Sequence, residues 1–83
     1  MGYKGKRIIY CSHALKRAKE RGISQQDILD VIESPDVDQP SKVCLGRRIL
    51  RKRLRPSYVV SVVIVPPNGG SDVGVITAWV NEG

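Results

Sequence analysis

Apolar positions along the chain fall into two regimes that meet at Pro35. Before it they recur at helical spacing. Ile8, Ile9 and Tyr10 can form a short strand, after which Ser12 offers an N-cap oxygen. Residues 13 to 21 then read as a first helix with Ala14, Leu15 and Ala18 on its buried side and Gly22 as a left-handed C-cap. Ser24 caps a second helix, with Asp27 three residues on in a capping-box position. Ile28, Leu29, Val31 and Ile32 give that helix a wide apolar face, and Ser34-Pro35 ends it. The pair reads as a helix hairpin with a tight joint.

After Pro35 the pattern turns to β. "DVDQPSK" is a polar connector, followed by three β-rich runs: Val43 to Arg51, Tyr58 to Val65, and Val73 to Val80. "PPNGGSD" between the last two has the composition of a hairpin loop. Apolar residues on both parities make Tyr58 to Val65 a central strand with both faces largely covered. The last strand separates into Ile76, Ala78 and Val80 on one face and Val75, Thr77 and Trp79 on the other. The helices should cover one sheet face, and the other should present Thr77 and Trp79 beside Arg47, Arg51 and Arg53, which share a parity. These elements predict one α+β domain over residues 1–83, a helix hairpin packed on a three- to four-stranded antiparallel sheet, with no internal repeat.

Length and composition narrow the picture. A chain of 83 residues buries roughly 60–65% of its unfolded surface, so its core is small, and 41% apolar residues suffice to build it. No apolar run approaches the roughly 18 residues that span a bilayer, and the basic N-terminus has no apolar segment of signal-peptide length. Lys6 stands where a myristoylation pattern wants Ser or Thr. A soluble cytoplasmic protein without membrane contact is expected. Cys11 and Cys44 are isolated thiols with neither short spacing nor histidine partners. They read as small buried hydrophobes in a reducing compartment, with no metal site.

Charge adds a partner. The formal net charge is +6, and "GRRILRKRLR" at residues 46–55 holds six basic side chains in ten positions. Asp27, Asp30, Glu33, Asp36 and Asp38 make the second helix and its exit acidic. An anionic partner on one side of the molecule, nucleic acid or an acidic protein segment, fits this asymmetry. Arg47, Arg48, Arg51, Lys52, Arg53 and Arg55 would hold a nucleic-acid backbone, with Trp79 as a stacking platform. The plainer alternative is an exposed edge strand guarded against aggregation by its charge.

The first helix carries the only histidine. His13, Arg17 and Arg21 follow one another at steps of four, drifting by about 40° each from the polar face towards the border of the core. A first-turn imidazole can take a proton from a ribose hydroxyl, and guanidinium groups further on can bind the phosphate and stabilise charge that develops on it. That set suffices for cleavage of RNA by its own 2′-hydroxyl without a metal. A solvated surface stripe has the same spacing, and Thr77 taken alone is explained by β-propensity.

Ser12, His13, Ala14, Arg17, Arg21, Gly22, Ile23, Ser24, Asp27, Ile28, Ile32 and Pro35, with "GRR" at 46–48 and "VITAW" at 75–79, resemble the domain of unknown function 4258 family. One departure is that Ser12 directly precedes His13 instead of standing two positions before it. That family is similar to RelE/ParE-like toxins, in which helices near the N-terminus pack on an antiparallel meander and some members sit beside antitoxins. The resemblance implies the RelE-like toxin class, RNA as substrate, an acidic antitoxin as partner, and His13, Arg17, Arg21 and Thr77 as the catalytic positions. No cofactor is implied, and nothing fixes the oligomeric state. A helix-turn-helix competes on Ala18, Gly22, Ile23, Ile28 and Val31, but its second helix would face phosphates with Asp27, Asp30 and Glu33. A non-enzymatic module whose basic face accepts an acidic segment is the third reading.

Overall fold

The computed structural model describes residues 3, 5–43, 45–66 and 72–81. In chain order the elements are β1 (Arg7–Tyr10), α1 (Ala14–Glu20), α2 (Gln25–Glu33), β2 (Val37–Pro40), β3 (Arg48–Arg55), β4 (Tyr58–Val65) and β5 (Asp72–Asn81). The strands form one sheet in the order β1-β5-β4-β3-β2. The β1 strand runs parallel to β5, and every other neighbouring pair is antiparallel. The sheet is therefore five-stranded and mixed, where three or four antiparallel strands were expected.

Local chemistry sets the helix ends. Ser24 Oγ accepts from the Asp27 N–H at 3.1 Å, and the Asp27 carboxylate accepts from the Ser24 N–H, completing the capping box that starts α2. Gly22 sits at φ +75°, the left-handed geometry that lets the chain turn out of α1 at little steric cost. The buried faces are Ala14 and Ala18 on α1 and Ile28, Val31 and Ile32 on α2. Leu15, expected among them, is 40% exposed, because α1 rests on the sheet through its two alanines alone.

Both helices pack on one face of the sheet, against Leu50, Val60, Val62, Ile64, Val73, Val75 and Ala78. Val75 and Ala78 point the same way although their numbers differ in parity. The register slips between Val63 and Ile64, which pair with Thr77 and Val75, so Ile76 is the extra residue of a bulge. That bulge overturns the expected assignment of Val75 to the Thr77–Trp79 face.

Three other expectations shift. The strand expected over Val43 to Arg51 begins at Arg48 and runs on to Arg55, where a turn at Pro56–Ser57 leads into β4. Val43 and Leu45 suggested strand by composition, yet they are 92% and 99% exposed in the loop before it. The supposed polar connector contains β2, an edge strand exposed at all four positions. Cys11 is an exposed free thiol, since the chain leaves β1 with its side chain turned outward; Cys44 and residues 67–71 of the expected hairpin loop lie outside the described residues. No helix among the described residues is long and apolar enough to cross a membrane.

Candidate functional site

The stripe of three along α1 divides, His13 and Arg17 from Arg21. His13 sits immediately before the helix, exposed, with no side-chain cap bond. With Lys16, Arg17 and Glu20 it lines an open concavity of about 340 Å³. His13 and Arg17 lie one turn apart, roughly 6 Å along the axis, close enough to engage one phosphodiester group. Arg21 is a further turn on and is drawn elsewhere. Its Nη1 donates to the Ala78 carbonyl at 2.8 Å and to Thr77 Oγ1 at 3.3 Å.

The sheet explains that detour. Strand β1 pairs with β5 only over Asp72–Val75, so Thr77 and Ala78 lie beyond its reach, where α1 is the flanking element. Arg21 closes this open stretch of edge, and in doing so it meets Thr77, the other expected catalytic position. His13 with Arg17, and Arg21 with Thr77, are thus adjacent pairs at one corner of the molecule.

The basic strand also divides, because side chains of a strand alternate between faces. Arg48 and Lys52 flank Leu50 on the helix side. Arg48 Nε lies 2.5 Å from Asp38 Oδ1, and Tyr3 donates its hydroxyl to the other oxygen of that carboxylate at 3.2 Å. Lys52 Nζ donates to the Ser34 carbonyl at 2.7 Å, at the C-terminal end of α2, where a cation offsets the helix dipole. Arg55 stacks 4.8 Å above the Tyr58 ring. Arg51 and Arg53 face the opposite side, Arg51 bonded to Ser61 Oγ and Arg53 to the Pro56 carbonyl. Arg47 precedes the strand, its carbonyl accepting from the Ser41 N–H at 2.8 Å. Strand β3 is not an edge: β2 covers Arg48–Arg51, and the Asp36 carboxylate takes the Arg53 N–H at 3.0 Å where β2 has yet to begin. Among the described residues no group of three or more His, Cys, Asp or Glu is placed to hold a metal.

Sequence reasoning missed Ser61 and Asn81. Ser61 is wholly buried in β4, its oxygen accepting from Arg51 Nε at 3.1 Å and donating its proton to Asn81 Oδ1. A lone hydroxyl in the otherwise apolar run "YVVSVVIV" was the available signal. Trp79 stands beside Ser61 across the strand pair, on the same face.

Three tyrosines tie these parts together, and each holds its proton above the usual value. Burial raises Tyr58 first, and the Asp27 carboxylate that accepts its hydroxyl at 2.9 Å adds to the rise. Burial and Asp38 act likewise on Tyr3. Tyr10 is raised by burial, and its hydroxyl makes no hydrogen bond within normal limits. The Gln25 amide lies only near enough to offset part of the effect. A group whose folded-state pKa is raised contributes stability below its unfolded value and loses it as pH rises through the folded value. The tyrosines' contribution to the unfolding free energy should therefore be intact below about pH 9 and fall above about pH 10, the ordinary tyrosine range. Denaturant titrations across that range should show the fall reduced in Tyr58→Phe; an unchanged profile would remove Tyr58 from the account.

Comparison with known proteins gives the family. Residues 10–80, from the end of β1 almost to the end of β5, match the family described as Domain of unknown function (DUF4258), and the chain belongs to it. No curated protein and no solved structure gives a significant match.

Proposed function

We propose that this protein binds RNA and cleaves it without a metal ion, as a toxin-like ribonuclease of the RelE kind held in check by an acidic antitoxin segment. The observation that carries the reading is the grouping of His13, Lys16, Arg17 and Glu20 around one open concavity. An exposed imidazole there has two cations beside it and room for a phosphodiester. The neutral ring accepts the proton of a ribose 2′-hydroxyl as that oxygen attacks the adjacent phosphorus. The bond to the 5′-oxygen breaks, that oxygen takes up a proton, and a 2′,3′-cyclic phosphate and a 5′-hydroxyl end result. Arg17 and Lys16 stabilise charge on the phosphoryl oxygens, and Arg21, fixed by Ala78 and Thr77, borders the path from this concavity to β5. Two consecutive helices laid on one face ahead of an antiparallel run of strands support the RelE-like class.

The test is cleavage of a mixed-sequence RNA by purified protein in EDTA, with product ends analysed. Cyclic phosphate ends, and no cut at a 2′-deoxy position, are expected. An intact substrate, or equal cleavage at deoxy positions, would sink the reading.

A non-enzymatic interaction module is the second reading. It is favoured by Val43 and Leu45, which stand almost fully exposed in the loop between β2 and β3 beside basic Lys42. Exposed aliphatics next to cations suit docking of a segment that is both acidic and apolar.

A further inference from the structure

Among the described residues no helix covers the opposite face of the sheet, and a second built arrangement lies there. Val37, Arg51, Ser61 and Trp79 form one row across β2, β3, β4 and β5, and Arg53, Val59 and Asn81 form the next. Ser61 has no exposed surface although the helices lie on the other side, because the large side chains of its row neighbours Arg51 and Trp79 shield it. Its hydroxyl is engaged at both ends, accepting from Arg51 Nε and donating to Asn81.

That engagement leaves something unused. The Arg51 guanidinium is pinned through Nε, and its two terminal nitrogens have no partner among the described residues. A half-buried, immobilised fork of this kind is suited to an anion with two oxygens, since the ordering cost is already met by Ser61. Trp79 lies two strands away, roughly 10 Å at normal strand spacing. Carboxylates are nearly absent from this face. Asp72 is its single acidic residue among those described, and its register partner is Arg7. The face therefore combines a cation, an aromatic plane and net positive charge, as single-stranded nucleic acids require.

We propose that the open sheet face binds an unpaired stretch of RNA, with a phosphate on the terminal nitrogens of Arg51 and a base stacked on Trp79. This rests on the RNA-binding reading above and adds where, and in what form, the RNA is held. Ser61 and Asn81 are positioning residues that aim Arg51. Thr77, two residues before Trp79, leads to Arg21 at the β5 edge, and so joins this platform to the concavity on α1.

Trp79 is the only tryptophan, so its fluorescence reports on the platform directly. The full chain is titrated with a 2′-O-methyl oligonucleotide, which cannot be cleaved, in single-stranded and duplex form. Saturable quenching by the single strand is expected, with weaker binding of the duplex and strong salt dependence. Arg51→Gln keeps the stem over Ser61 and should weaken binding by about tenfold or more, and Arg51→Lys should not restore it. Ser61→Ala should weaken binding by a smaller factor, because it frees the Arg51 fork without removing its charge. Circular dichroism shows whether each variant is folded. Absence of quenching, parent-like binding by a folded Arg51→Gln protein, or quenching by polyglutamate alone would overturn the platform. Quenching without cleavage of ordinary RNA would sink only the ribonuclease reading. Cleavage undiminished in Arg51→Gln and without quenching would sink only the platform.

Discussion

Ile32→Ala should lower the free energy of unfolding by about 2–5 kcal/mol, whereas Leu15→Ala should cost less than about 1 kcal/mol. Ile32 has no exposed surface and lies in the cluster through which α2 meets the sheet. Removing its outer carbons forfeits both the transfer of buried apolar surface and the contacts of a close-packed site. Leu15 is 40% exposed on α1 and has little to lose. A chain of 83 residues has a total stability of roughly 4–12 kcal/mol, so the first change can consume much of it. Urea titrations followed by circular dichroism measure both. Equal, small losses would mean that α2 is not held through Ile32, and the two-layer architecture would fall with it.

The contrast between those residues also marks how far the sequence could be read. The second helix was legible because Ser24, Asp27 and the Ile28 to Ile32 face act locally, within a few residues of one another. For α1 periodicity alone placed Leu15 inside; a helix of seven residues that docks through two alanines has a narrower contact than its pattern suggests. Strand β2 was invisible, since Val37 to Pro40 are all exposed and owe their conformation to pairing with Arg48–Arg51. The bulge at Ile76 has no local signature either. It follows from how β5 must meet both β4 and the strand that begins the chain, and it moved Val75 into the core.

For the candidate site the same division holds. Chemistry-bearing residues were readable one by one, and their partners were not. His13 and Arg17 share a helix flank, so their spacing is a local fact. That Arg21 bonds to Thr77 and Ala78 is a contact across 56 and 57 residues, set only by the sheet order. Among the six cations of "GRRILRKRLR", strand parity already set Arg48 and Lys52 apart from Arg51 and Arg53, but not what they meet. Asp38 and Ser34, distant in sequence, take up the first two.

His13→Ala should reduce RNA cleavage by about a hundredfold to ten-thousandfold, the range lost with a general base, and leave the unfolding midpoint where it is. His13 is exposed and caps nothing, so the fold gives up no contact with it. Arg17→Ala should likewise lower cleavage without loss of stability. Arg21→Ala should lower both, because the Ala78 carbonyl and Thr77 hydroxyl lose their donor at the unpaired edge of β5, at a cost of about 1–2 kcal/mol. Cleavage rates and urea midpoints for the three variants therefore separate a reacting group from a structural one at neighbouring positions. If His13→Ala cleaves as the parent does while Arg21→Ala fails only in stability, the stripe is surface and strap. The open sheet face would then be the part of the molecule left to meet RNA. If the two effects separate as described, a single helix flank carries chemistry at its start and anchors the sheet edge at its end, which accounts for the four-residue spacing of His13, Arg17 and Arg21.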